Sequence, residues 1–185
     1  MKEDRKTRYT RMVLRDSLME LMKNKPITKI TITELCKKAD INRSTFYAHY
    51  TDQHDLLRKI EDDTLLWLKD AIVNVLGKTD KSETIAVMEK ICQYFVENSQ
   101  HLQILMSEQG DVDFQKELFI LIYEQCGIAS SILTYTGLDI DEDYFIFIIN
   151  GSVGLMHHWL RNGFTKSAKE MAETIYDMAS PPAAT

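Results

Sequence analysis

A chain of 185 residues with 44% hydrophobic and 27% charged side chains is long enough to bury a sizeable core and has an ordinary globular balance. Its longest apolar runs, 118–123 and 145–149, fall far short of the ~20 residues that span a bilayer, and the charged start Met1-Lys2-Glu3-Asp4-Arg5 is unlike a signal peptide. The formal charge of −6 hides an asymmetry: residues 1–61 hold 14 Lys and Arg against 9 Asp and Glu, and the remainder holds 8 against 19. A basic head on an acidic body puts any polyanion at the head.

With only seven Gly and three Pro among many Leu, Ile, Met, Glu and Lys, the composition favours helices. The spacing predicts a first helix over 7–23, where Leu14, Leu18 and Leu21 recur at i, i+4 and i+7 beside Met22. Arg8, Arg11 and Arg15 form a second, basic stripe on the same helix. Asn24 and Pro26 end it. Thr31 followed by Glu34 has capping-box spacing, in which the hydroxyl takes an early amide and the carboxylate reaches back, so a short helix is expected over 32–39. Asp40-Ile41-Asn42 reads as a tight turn, with Asn42 the N-cap of a third helix over 43–50. Two short helices separated by about three residues fit a helix-turn-helix, with Leu35, Ala39, Ile41 and Phe46 as its small core.

A long fourth helix is expected over 51–76, kept apolar on one face by Leu56, Ile60, Trp67, Ala71 and Val75 and stopped by Gly77. Further helices are expected over 83–98, 100–107 and 113–133, with turns at Gly110 and Gly137. The next, over 141–162, has few polar positions and should be buried nearly all round, while Gly151, Ser152 and Gly154 permit close approach of another helix. A last helix over 166–179 carries a stripe of Ala168, Met171, Ile175 and Met178 before a loose tail at 181–185. Only 30–32 reads, weakly, as a strand. The expected fold is therefore all-α, with about nine helices. Cys36, Cys92 and Cys126 are odd in number and far apart, with neither disulfide nor metal spacing, and read as buried packing thiols in a reducing cytoplasm.

The stretch from Lys29 to Tyr50, continued by Asp52 and Asp55-Leu56-Leu57, strongly resembles the DNA-binding domain of the TetR family. The specific part is Thr45-Phe46-Tyr47-Ala48-His49-Tyr50 following Ala39-Asp40-Ile41-Asn42-Arg43; the ending Trp159-Leu160-Arg161-Asn162-Gly163-Phe164 is similar to many of the family's C-terminal regions. The resemblance implies a three-helix DNA-binding domain over 1–52 and a ligand-binding and dimerisation domain over 53–180. It also implies a homodimer formed by the last two helices, and an effector that moves the fourth helix to respace the two heads. Most characterised members are repressors released by a ligand; a minority activate or act as co-regulators. The apolar helix over 141–162 points to a dimer independently, because a lone body of this size would hardly cover it.

A helix entering DNA must use the major groove, whose width admits it and whose edges differ for each base pair. Arg43 suits a guanine or a phosphate; Ser44 and Thr45 are short enough for close approach; Tyr47, His49 and Tyr50 can donate to phosphates. The helix-start amides capped by Asn42, together with Thr33, Arg8 and Arg11, complete the expected DNA contacts. Phe46 reads as core, Tyr50 suits the core as well as a contact, His49 also suits a helix cap, and the arginine stripe also suits a solvated face. Phe95, His101, Met106, Tyr123, Phe147 and Trp159, with Tyr94, His157 and His158 near them, are candidates to line an effector cavity. The alternative for such a stripe is plain core. His157 and His158 are adjacent and face different ways, so they would not share a metal. The absence of an evident cluster for an anion leans towards a neutral or cationic apolar effector. Phe145, Ile149, Val153, Met156, Met171, Ile175 and Met178 are the expected dimer contacts. The expected partners are thus double-stranded operator DNA, a second copy and a small-molecule effector, with no membrane, cofactor or metal. No Gly-rich phosphate loop, nucleophile elbow or close Cys/His set suggests an enzyme.

Overall fold

A computed structural model of the chain describes residues 4–76, 78, 80–107, 110–135 and 142–179, with side chains except at 76, 125–135, 142 and 145. The expectations for Gly77, Gly137, Asp141, the tail 181–185 and the side chains of Cys126 and Phe145 lie outside the described residues. In chain order the helices are α1 (Arg5–Met22), α2 (Ile32–Ala39), α3 (Arg43–Tyr47), α4 (Gln53–Leu76), α5 (Lys81–Glu97), α6 (Ser99–Leu105), α7 (Val112–Tyr135), α8 (Glu142–Arg161) and α9 (Ala168–Ala179). A single 3₁₀ turn, Ile27–Lys29, lies between α1 and α2. The described residues are all-helical and contain no strand. The strand-like 30–32 is instead the entry to α2: Ile30 and Thr31 are extended, and Ile32 already opens the helix.

The ends of the helices follow from their caps. The Thr31 hydroxyl accepts the Glu34 amide at 3.2 Å, fixing the start of α2. Glu34 reaches back as the expected box requires: Lys25, with which its carboxylate pairs at 2.6 Å, and the Thr31 amide both hold that carboxyl below the usual range. At the far end Asp40 sits in the left-handed region (φ 52), which a short polar side chain tolerates, and Ile41 N–H reaches back to the Cys36 carbonyl at 3.0 Å. α5 begins two residues earlier than its apolar pattern suggests, because the Asp80 carboxylate accepts the Glu83 amide at 3.0 Å. α9 begins two residues later, because Ser167 and Glu170 form a reciprocal capping box: Ser167 N–H donates to Glu170 at 2.8 Å, and the Glu170 amide donates to Ser167 Oγ at 3.2 Å. Gly110 is required by crowding, since a Cβ there would collide with the Leu105 carbonyl oxygen.

The chain divides into two compact units. One comprises Met1–Thr64 together with Gln100–Gln115, and the other Leu65–Ser99 together with Lys116–Thr185. The first unit contains α1, α2, α3, the start of α4, and a later segment centred on α6. In that segment Gln115 Nε2 donates to the Leu105 and Ser107 carbonyls at 3.1 and 3.0 Å, tying the start of α7 to the end of α6.

In the second unit the core is Cys92, Trp159, Ala168, Met171, Ala172 and Ile175, ringed by Ile85, Met88, Phe95, Val96, Leu155, Met156 and Phe164. Met171 and Ile175, expected at an interface between copies, are thus buried in the protomer's own core, where α9 packs on α5. Each such burial is worth roughly 1.5–3 kcal/mol. Cys92 is 1% exposed, and burial pushes its thiol up to about 12, so it packs as an inert neutral group. Cys36 is buried as well. The expectation that α8 is buried nearly all round does not hold within one chain. Trp159 and Leu160 are buried, but Asp143, Ile146, Phe147, Asn150, Gly151, Gly154, His158 and Arg161 form one exposed stripe, with Phe147 72% exposed.

Candidate nucleic-acid interface

The chemistry of the head begins with Asn42, whose side-chain oxygen accepts the Ser44 amide at 3.3 Å and starts α3. Regular α-helix spans only Arg43–Tyr47, shorter than expected. The coil nevertheless continues, since His49 and Tyr50 both donate to the Phe46 carbonyl, at 2.9 and 3.0 Å. The i−3 bond from His49 tightens the last turn before α4 begins. Phe46 is fully buried, edge-on to Tyr47 and tilted against Tyr50 at centroid distances of 5.6 and 5.7 Å.

Around that buried ring α3 turns a polar row outward. Arg43, Ser44 and Tyr47 are exposed, with Thr45 and His49 half-buried. The Arg43 guanidinium donates to Tyr47 Oη at 3.3 Å and lies 5.9 Å from the ring centre, so the two side chains one turn apart form one patch. Thr33, in the first turn of α2, is exposed. Tyr50, a candidate phosphate contact, is instead 6% exposed, and burial raises its phenol above the ordinary value. Arg11 and Arg15 of α1 act electrostatically on that phenol, which places them near Tyr50. Arg8 and Arg11 are exposed, and Arg15 is half-buried with its Nε enclosed.

The six effector candidates fall in different local settings. Trp159 is 1% exposed and spends its indole N–H on the Lys166 carbonyl at 3.0 Å while packing edge-on against Phe164; it is a core residue. Phe95 is half-buried beside the same core. Tyr123 and Phe147 are exposed, and Asn150 donates to Tyr123 Oη at 2.6 Å. Tyr94 stacks on Trp67 at 3.7 Å, a contact between α4 and α5 that periodicity does not reveal. Met106 and His101 belong to the first unit.

There His101 Nε2 meets Asp16 Oδ1 of α1 at 3.3 Å, beside an open cleft of about 380 Å³ lined by Asp16, Ser17, Met19, Glu20, Lys23, Lys38, Gln100 and His101. Burial, then the Arg15 charge, lowers the His101 pKa below its ordinary 6.5, against the opposing pull of Asp16. Folding therefore favours the neutral ring. The unfolded chain takes up the proton more readily, so the stability this group confers is present above pH 6.5 and is lost as pH falls through the lower folded value. Thermal melts from pH 7.5 to 5 should show His101→Gln losing less stability on acidification than the wild type; equal losses would remove His101 from this role.

An outward polar row on a capped short helix that follows a second short helix and a tight turn is the geometry of a helix-turn-helix. Comparison with known proteins adds the family. Residues 82–181, more than half of the chain, match the TetR-type family described as transcriptional regulator C-terminal region. The chain belongs to the TetR family of transcriptional regulators. No curated protein sequence matches it. Its fold is similar to that of a TetR transcriptional regulator from Streptococcus agalactiae (19% identity, 96% of this chain and 97% of that chain, TM-score 0.56). It is also similar to PfmR of Thermus thermophilus, a TetR family regulator (16%, 91% and 93%, TM-score 0.67). A third similar structure is FadR of Bacillus subtilis in complex with stearoyl-CoA (11%, 91% and 96%, TM-score 0.66). Among the described residues no helix is long and apolar enough to cross a membrane.

Proposed function

We propose that this regulator binds operator DNA as a homodimer in the cytoplasm and represses transcription until a small-molecule effector binds its body. The observation that carries this reading is the exposed row Arg43, Ser44 and Tyr47, presented by a helix whose inner residues Phe46 and Tyr50 are buried. Arg43 reads a guanine edge or clamps a phosphate, Ser44 and Thr45 allow close approach, and Tyr47, His49, Thr33, Arg8 and Arg11 hold the backbone. Asn42 serves by capping, and Tyr50 by packing. The DNA-binding domain is residues 1–52, and the ligand-binding and dimerisation domain is 53–180.

The dimer reading is supported by the α8 stripe, on which Ile146 and Phe147 stand exposed beside Gly151 and Gly154. A Cβ built on either glycine meets nothing within 4 Å, so a second helix can approach closely. Ile149, Val153 and Met156 are half-buried on α8, and Met178 is 62% exposed on α9; these remain the contacts with a second copy. The effector reading rests on the shared fold, since the similar FadR structure holds stearoyl-CoA. A mobility-shift assay on the DNA upstream of the protein's own gene tests the function. A retarded complex at low salt that weakens as salt rises is expected; no shift at low salt would overturn it.

A further inference from the structure

The junction between α3 and α4 is fastened by several side chains at once. Asp52 caps α4 by accepting the Asp55 amide at 2.8 Å, and Asp55 reaches back to accept the Thr51 amide at 2.8 Å. That amide, then Lys59, holds the Asp55 carboxyl below the usual carboxylate range. Lys59, one turn further along α4, places its Nζ 3.3 Å from Asp55 Oδ1, 3.3 Å from the His49 carbonyl and 5.0 Å from the centre of the Tyr50 ring. His49 and Tyr50 form the last turn of the recognition helix, and both hang from the Phe46 carbonyl. One ammonium therefore touches the end of α3, the ring that seats it in the core and the carboxylate that starts α4.

We propose that Lys59 is a positioning residue of the DNA-binding head, holding the C-terminal turn of α3 at a fixed setting on α4 through the His49 carbonyl, the Tyr50 ring and Asp55. The chemistry suits the task. A helix end leaves carbonyls without intrahelical donors, and a cation satisfies one while favouring the negative end of the helix. The Tyr50 face adds attraction, and the Asp55 carboxylate limits where the ammonium can sit. Since α3 has a single regular turn and a half, little else in the helix fixes its angle, and a small rotation displaces Arg43 and Tyr47 from the positions that suit a groove. The effect on DNA affinity rests on the operator-binding reading; the local hold does not.

The test uses the full chain with Lys59→Met, which keeps most of the stem and removes the charge, and Lys59→Arg, which keeps the charge. In the DNA-free protein, amide hydrogen exchange at His49, Tyr50 and Thr51 should quicken about three- to tenfold in Lys59→Met and return most of the way in Lys59→Arg, the size expected of one hydrogen bond of ordinary net strength on a solvent-screened lysine. Unchanged exchange would overturn the proposal whether or not the protein binds DNA. On a duplex enriched from a random pool by the wild type, Lys59→Met should bind about three- to tenfold more weakly with the same salt slope. A slope shallower by about one would make Lys59 a phosphate contact instead and would overturn the proposal. Faster exchange with unchanged affinity would overturn it too. Failure of the wild type to enrich any duplex would refute the operator-binding reading, and the exchange result would still decide the hold.

Discussion

Phe46→Ala is expected to lower the stability of the head by ~3–5 kcal/mol, the cost of emptying a fully buried aromatic site. The ring is the hub of α3: it is fully buried, packs edge-on to Tyr47 and lies tilted against Tyr50. Because whole domains are stable by only about 5–15 kcal/mol, such a loss should leave α3 frayed at ambient temperature and DNA binding absent. Urea titration followed by far-ultraviolet circular dichroism should show a much lower midpoint, with Phe46→Leu intermediate. A midpoint within error of the wild type would mean that the head is not built around this ring.

Arg43→Ala is the complementary experiment, because it should damage binding and spare the fold. Arg43 is exposed and its guanidinium bonds to Tyr47 on the same helix, so its removal should change stability by no more than about 0.5 kcal/mol. Operator affinity should fall by ~1–3 kcal/mol, about five- to 150-fold, as expected of a side chain that reads a base or clamps a phosphate. Tyr47→Phe removes the hydroxyl that accepts from Arg43 and should weaken binding less. Fluorescence anisotropy across a salt series separates the two roles of Arg43. A base contact loses affinity at one sequence position with little change in slope, whereas a phosphate contact loses it at every sequence and makes the slope shallower. Unchanged affinity on all duplexes would remove Arg43 from the interface.

Local signals were legible where one residue decides a boundary. Thr31 and the turn at Asp40 mark α2 at 32–39, the limits the structure shows. The same logic erred by two residues at α5 and α9, where Asp80 and Ser167 are the caps and the apolar pattern misled. What the chain does not display is which partner each apolar face meets. Met171 and Ile175 suit an inner or an outer stripe equally well, and only the packing of α9 on α5 assigns them to the protomer's core. His101 reads as a candidate to line a cavity among the C-terminal helices. Its partner, Asp16, lies 85 residues earlier, and no periodicity connects them. Lys59 and Asp55 stand at i, i+4 in plain view, but the reach to His49 requires the fold. For α8 the apolar pattern is plain in the sequence, but one chain covers only part of that helix, so the pattern alone does not give its burial.

On the proposed reading, two copies of the chain present α3 to one operator. Selection of duplexes from a random pool at moderate salt, followed by hydroxyl-radical footprinting of the winner, tests it most directly. The expected result is an enriched inverted repeat with two protected half-sites on a spacing set by the protein's twofold axis, and loss of both footprints with Arg43→Ala. Failure to enrich any sequence, or a single protected half-site bound by a monomer, would contradict it.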